Sequence, residues 1–375
     1  MLDRVLILSA SAGAGHLRAA EALEKAFLVS GRAREVKNID VLTYTNKAFR
    51  NLYSKAYIDL VNNAPELLGW LYDHFDKPGK HERTRLAFNK LNMRRIIHLL
   101  KEYQPDVAVC THFLPSEIIS WLKGEGSVQT KLAVVVTDFD VHAMWLCQNF
   151  EHYFVALEET GVHLEELGVP RTKITVSGIP IDPVFAEAKD KRAMRMKHGL
   201  NPEGRTILIS AGGFGVGPIE HLMTSLMKLQ HEAQVIAICG RSQELYSRLS
   251  ELAAQRPRDS KVKVHVTGFT KEMDEFMTAA DIVVGKPGGL TTSEALAKSL
   301  VYVVVNPIPG QEERNSDHLL EQGAAIRCNN LPALAYKVDE LLADPSRFEA
   351  MKQHSRAMGR PRAAFTVVEK LASEK

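Results

Sequence analysis

The sequence predicts an α/β protein of two domains, each a parallel sheet covered by helices on both faces. Two observations carry that expectation. Short apolar runs alternate with stretches of helical period along most of the chain. The alternation then restarts near the middle, so that each half opens with a strand followed at once by a glycine-rich loop. A length of 375 residues suits two domains, at roughly 100–200 residues each.

In the first half, Val5 to Leu8 forms the opening strand and runs into Ser9-Ala10-Ser11-Ala12-Gly13-Ala14-Gly15. A helix is expected over 16–28, with Leu17, Ala20, Leu23 and Phe27 on one face. Glu35 to Val41, Val107 to Cys110 and Leu132 to Thr137 are the next strands. Gly178-Ile179-Pro180-Ile181-Asp182-Pro183 reads as a connector. The second half starts with Thr206 to Ser210, which ends in Ala211-Gly212-Gly213-Phe214-Gly215-Val216-Gly217. Gln234 to Cys239, Val262 to Val266, Ile282 to Val284 and Tyr302 to Val305 continue it. The expected division is 1–180, 181–345 and a helical tail over 346–375 that crosses back to the first domain. Two such sheets facing each other leave a cleft at the C-terminal ends of their strands, where ligands bind.

The stretch 43–104 breaks the alternation and is the most aromatic part of the chain. From Lys77 to Lys101 it carries eight Lys and Arg against one acid, Glu82. One reading is an amphipathic helical insert packed on the core. The other is a surface for anionic lipid, with Trp70, Tyr72, Lys80, Arg83 and Arg85 as its contacts.

Composition narrows the classes. With 47 basic and 45 acidic residues, the net charge of +2 argues against a general nucleic-acid binder. No apolar run approaches a membrane span, and no secretory leader is recognisable at Met1. Cys110, Cys147, Cys239 and Cys328 form no CxxC pair, which argues against a thiolate zinc cluster and a disulfide framework. A cytoplasmic protein is expected.

Three glycine loops behind strands offer backbone N–H groups for anions. The first has Gly13 and Gly15 but Arg at position 18, so the dinucleotide fingerprint fails. His16 follows at the first turn of the helix; it is either a capping or packing histidine or a neutral general base aided by the helix N-terminus. In Gly285-Lys286-Pro287-Gly288-Gly289-Leu290-Thr291-Thr292-Ser293-Glu294, two glycines let backbone approach a diphosphate at a helix start. Leu290 and Thr291 belong to that turn. Glu294 lies one turn further, as a ribose ligand or a helix-dipole carboxylate. Gln311 and Glu312 follow a two-proline loop and suit sugar hydroxyls, which need donors and acceptors. Asp138-Phe139-Asp140 has the spacing of a divalent-cation site but lies away from the diphosphate loops, which favours an acceptor-side or structural role for Asp138 and the nearby Trp145.

Together, SAGAGHLRAAEAL (9–21), TDFDVHAMW (137–145), SGIPIDPVF (177–185), GGFGVG (212–217), TGFTKEMDEFMTAADIVVGKPGGLTTSEAL (267–296) and NPIPGQEERN (306–315) resemble the monogalactosyldiacylglycerol synthase and processive diacylglycerol glucosyltransferase family. A more distant similarity is to the GlcNAc transferase of lipid-linked peptidoglycan precursor synthesis. The resemblance implies a GT-B fold and inverting transfer of glucose or galactose from a UDP-sugar to diacylglycerol. It implies no cofactor and no essential metal, and work at the cytoplasmic membrane face. It makes His16 the base, Glu294 the ribose ligand, and Gly15, Gly288 and Gly289 with Leu290 and Thr291 the phosphate surroundings. Gly212 and Gly213 would lie near the phosphates, Phe269 and Thr270 would read uracil, and Gln311 and Glu312 would meet the donor sugar. GlcNAc transfer to a polyprenyl-diphosphate lipid, sugar-nucleotide epimerisation and a non-enzymatic UDP-sugar sensor are the competing readings.

Overall fold

The computed structural model of the chain describes residues 1–76, 82–210, 219–256 and 260–373. Among them, twelve strands form two six-stranded parallel sheets. The first contains β1 (Leu2–Ser9), β2 (Ala33–Asp40), β3 (Val107–Cys110), β4 (Lys131–Val135), β5 (His152–Val155) and β6 (Ile174–Val176), in the order β2-β1-β3-β4-β5-β6. The second contains β7 (Thr206–Ser210), β8 (Ala233–Ile238), β9 (Val262–Thr267), β10 (Ile282–Gly285), β11 (Val301–Val305) and β12 (Ala325–Cys328), in the order β12-β11-β10-β7-β8-β9. Each order reverses once, at the β1/β3 pair and at the β7/β10 pair. Connections leave in opposite directions there, so a crevice opens at the strand ends.

The period-two pattern of β1 explains how one strand serves two layers. Val5 and Ile7 point to the face covered by Leu23 and Phe27 of the helix Ala14–Ser30. Leu6 and Leu8 point to the other face, with Ile96, Leu100 and Ile118. The last helix, Ala363–Ser373, lays Ala364, Val367, Val368 and Leu371 on the Val5 face. The chain therefore crosses from the second sheet back to the first.

The interrupting stretch folds as helices Lys47–Asn63, Pro65–Phe75, Glu82–Asn92 and Arg94–Tyr103. Asn46 starts the first by accepting from the Phe49 N–H at 2.8 Å, and Pro65 starts the second with its φ already helical. Among the described residues, no helix is long and apolar enough to cross a membrane.

Three strands escaped the sequence pattern: β5, β6 and β12. They are only three or four residues long, and Arg327 interrupts β12. Their place comes from ladders to β4, β5 and β11 rather than from their own composition.

Candidate active site

The helix behind β1 begins at Ala14, which makes His16 its third residue, at the β1/β3 reversal. The ring is held from one side. Its Nδ1 lies 3.0 Å from the Thr111 carbonyl and 2.8 Å from Thr137 Oγ1. A carbonyl only accepts, so the Nδ1 proton is fixed on that side and the lone pair rests on Nε2. Thr111 Oγ1 returns a hydrogen bond to the His16 carbonyl at 2.9 Å. Burial lowers the His16 pKa to about 4, against a smaller opposite effect of the Thr111 carbonyl, so the ring is neutral at physiological pH. His112 stands edge-on to it at 4.7 Å and is itself held neutral by burial. Trp145 closes the same pocket at 6.4 Å and is buried.

The facing wall comes from the second domain. The helix Gly289–Ala297 starts behind β10, and no side chain caps it among the described residues, so its first N–H groups are available to an anion. Gly289 must be glycine: a methyl there would strike the Thr137 carbonyl and come within 3.4 Å of Asp138 Oδ1. Thr137 thus touches His16 through its hydroxyl and Gly289 through its carbonyl. Gly15 approaches the same turn, with Leu290 Cβ 4.0 Å from where a Gly15 Cβ would be. Thr291 is half-buried in the first turn.

Glu294 is 1% exposed, and Arg18 of the first domain is ion-paired to it. Burial raises the Glu294 pKa to about 7, and the guanidinium opposes that rise. Lys25, two turns along the same helix, pairs with Asp182 of the connector. Glu312 accepts from the Ile308 N–H at 2.8 Å, and its Oε1 lies 3.6 Å from where a Gly288 Cβ would be. Gln311 hydrogen-bonds Asp138, whose pKa is raised to about 7 mainly by burial. Phe269, 54% exposed, and Thr270 lie behind β9, and the Arg241 guanidinium stands 4.8 Å from the Phe269 ring. Gly212, Gly213 and Lys80 lie outside the described residues, and so does the side chain of Arg83.

Two lipid-side expectations need correction. Tyr72 is half-buried against Gly310, because its helix seats on the second domain, and does not project outward. Arg85 turns inward to Glu117 at 2.9 Å, since two neighbouring helices pair their charges there. Trp145, expected in an acceptor-side or structural role, is 3% exposed and packs beside His16 as a wall of the cleft. Trp70, by contrast, is 60% exposed, and Leu52, Leu67, Phe88 and Leu91 of the same insert are exposed too.

The Asp-x-Asp carboxylates are engaged by protein: Asp138 by Gln311 and Asn315, Asp140 by Arg314. Among the described residues, His198, Glu272 and Glu275 cluster as metal ligands do, but Lys197 Nζ sits 3.0 Å from Glu272 and 2.6 Å from Glu275, which makes this an ion-pair network.

Sequence reasoning missed Thr111, His112, Arg18 and Arg314. The usable signal for the first pair was their place directly behind β3, next to β1. Arg18 was visible only as the residue that spoils the dinucleotide fingerprint.

Residues 16–181 match the family described as monogalactosyldiacylglycerol (MGDG) synthase, and residues 190–358 match glycosyl transferases group 1. The chain is 29% identical over 350 residues to a processive diacylglycerol beta-glucosyltransferase of Staphylococcus haemolyticus, covering 93% of this chain and 87% of that one. It is 28% identical over 372 residues to the protein of that name from Bacillus subtilis, covering 99% and 95%. The crystal structure of Acinetobacter baumannii MurG superposes with a TM-score of 0.64 over 100% of both chains at 15% identity, a likeness of fold. Two parallel sheets facing across a cleft, a histidine and an uncapped helix start meeting in it, and these matches lead to one conclusion: the chain is a UDP-sugar-dependent glycosyltransferase of GT-B fold, similar over nearly its whole length to the processive diacylglycerol beta-glucosyltransferases.

Proposed function

We propose that this enzyme transfers glucose from UDP-glucose, or galactose from UDP-galactose, to the free hydroxyl of diacylglycerol at the membrane surface. The observation that carries this reading is the double contact of Thr137, whose hydroxyl holds His16 at Nδ1 and whose carbonyl lies against Gly289, so that the histidine and the uncapped helix start meet in the cleft. The relatives' names favour glucose.

The chemistry is a single displacement. The acceptor oxygen forms a bond to the anomeric carbon as the bond from that carbon to the UDP oxygen breaks. The hydroxyl proton passes to His16 Nε2, and the electron pair leaves with UDP. First-turn N–H groups of Gly289, Leu290 and Thr291, with Lys286 beside Glu312, take up the charge on the leaving diphosphate. Gly212 and Gly213 complete this surface in our reading. Glu294 accepts ribose hydroxyls, the backbone at Phe269 and Thr270 reads uracil, and Gln311 and Glu312 face the sugar.

No bound metal is required in this scheme; the engagement of Asp138 and Asp140 by the second domain supports that, and transfer is expected to survive a chelator. Diacylglycerol stays in the bilayer, so the enzyme must meet it there. We assign the contact to the exposed apolar side chains of the insert, Leu52, Leu67, Trp70, Phe88 and Leu91. Offering UDP-glucose, UDP-galactose and UDP-GlcNAc separately with diacylglycerol vesicles tests the assignment. A hexosyl-diacylglycerol with matching UDP release is expected; binding without release points to a sensor, and GlcNAc transfer to a polyprenyl-diphosphate lipid instead would overturn the acceptor.

A further inference from the structure

The loop behind β4 meets the helix Gln311–Glu321 along one stripe. Gln311, Arg314, Asn315 and His318 share a face of that helix by their three- and four-residue spacing. Each meets residues 138–140. Gln311 and Asn315 hydrogen-bond the Asp138 carboxyl. The Phe139 N–H donates to Asn315 Oδ1 at 3.1 Å, and the Phe139 ring stacks on His318 at 5.6 Å. Arg314 Nη1 donates to Asp140 Oδ2 at 2.7 Å.

Arg314 also holds a third element. Its Nη2 donates to Asp76 Oδ2 at 2.9 Å, and its guanidinium lies 5.1 Å from the centre of the Tyr72 ring. Tyr72 lies on the helix Pro65–Phe75, and Asp76 ends it. Asp76 Oδ1 accepts from the Ala143 N–H at 2.8 Å, and the Tyr72 carbonyl accepts from His142 Nε2 at 2.9 Å, which ties the helix to the same loop. The helix also seats directly on the turn before Gln311. Gly310 has φ +87°, and a Cβ there would lie 2.9 Å from the Tyr72 ring.

We propose that Arg314 is a positioning residue for sugar transfer: one guanidinium pins the helix that carries Gln311 and Glu312 to both the 138–140 loop and the lipid-facing helix, and so sets the sugar end of the donor against His16. The inference rests on reading Gln311 and Glu312 as sugar contacts and His16 as the base. A guanidinium suits the task because its separate nitrogens reach two carboxylates at once, which an ammonium does less well. Without it, the Asp76 and Asp140 carboxylates lose the one guanidinium they share. The Asp-x-Asp motif thereby has a use between the domains.

Turnover and scattering, read beside UDP binding and melting temperature, test this. In Arg314→Gln, kcat for transfer should fall by at least roughly tenfold, as small misplacements of reacting atoms do, while UDP affinity by calorimetry stays parental. Arg314→Lys should recover part of the loss. Small-angle scattering without substrate should show a larger radius of gyration for Arg314→Gln and for the Asp76→Asn/Asp140→Asn double variant. Parental kcat with parental radius in Arg314→Gln would overturn the proposal. So would a kcat loss matched by equal loss of UDP binding and of melting temperature, which would make the residue a support of the fold alone. If the parent transfers no hexose at all, the catalytic reading falls by itself; the scattering comparison does not depend on turnover and still decides whether Arg314 holds the domains.

Discussion

At the scale of single residues, the site depends on keeping one imidazole neutral and one carboxylate buried. With Nδ1 committed to Thr111 and Thr137, only Nε2 can receive a proton. His16→Ala is therefore expected to lower kcat by roughly 10²–10⁴-fold with UDP affinity unchanged; near-parental turnover would return the residue to packing. Glu294 gives a pH test. Its folded pKa of about 7 lies above the ordinary carboxylate range, so between those values the folded state binds more protons than the unfolded one. Its contribution to stability is present at low pH and is lost as pH rises through that window. Glu294→Gln should then raise the melting temperature at alkaline pH while weakening UDP binding. In the parent, UDP affinity should fall as pH drops through about 7, because the ionised carboxylate is the better acceptor for ribose hydroxyls; calorimetry on both sides of neutrality checks the sign. His16 and Glu294 were legible because each follows a strand and glycines at short range. Arg18, Thr111 and His112 were not, since they reach the site only through strand order and domain contact, which local spacing does not encode.

Among the elements, the insert of residues 43–104 shows where counting charge misleads. Arg85 is spent on Glu117, and Lys90 Nζ lies 3.4 Å from the centre of the Trp121 ring. Arg94, Arg95 and Lys101 stay exposed, and beside them apolar side chains face outward on three of the four helices. Trp70→Ser combined with Leu91→Ser should weaken vesicle binding by at least about tenfold, given ~1.5–3 kcal/mol for burying a large apolar side chain, and leave UDP binding intact. Unchanged sedimentation with vesicles would move the membrane contact elsewhere. The helix Ala363–Ser373 offers a second test. Ala364, Val367, Val368 and Leu371 cover Val5, Ile7 and Phe27 of the first domain. Ending the chain after Arg362 should cost on the order of 5 kcal/mol and show as a marked fall in melting temperature; a parental melt would mean that this helix adds nothing to the first core. Its apolar period was readable in the sequence, but its partner lies more than 300 residues away along the chain and was only guessed at.

Over the whole molecule, the repeated strand–loop–helix unit was the most legible feature, because a covered parallel strand is an apolar run and its loop is glycine-rich. The closure of the two halves was less so. Thr137 against Gly289, Arg18 on Glu294, and Arg314 between Asp76 and Asp140 are meetings of residues with no common local pattern. In the proposed displacement, that closure would set His16 and the leaving diphosphate on opposite sides of the anomeric carbon, and a single displacement there must invert it. UDP-glucose is α-linked, so the anomeric proton of the first glycolipid formed reports the mechanism directly by NMR. The large vicinal coupling of a β-glucoside, lost together with the product in His16→Ala, is the predicted result; an α-glucoside would contradict direct displacement assisted by His16.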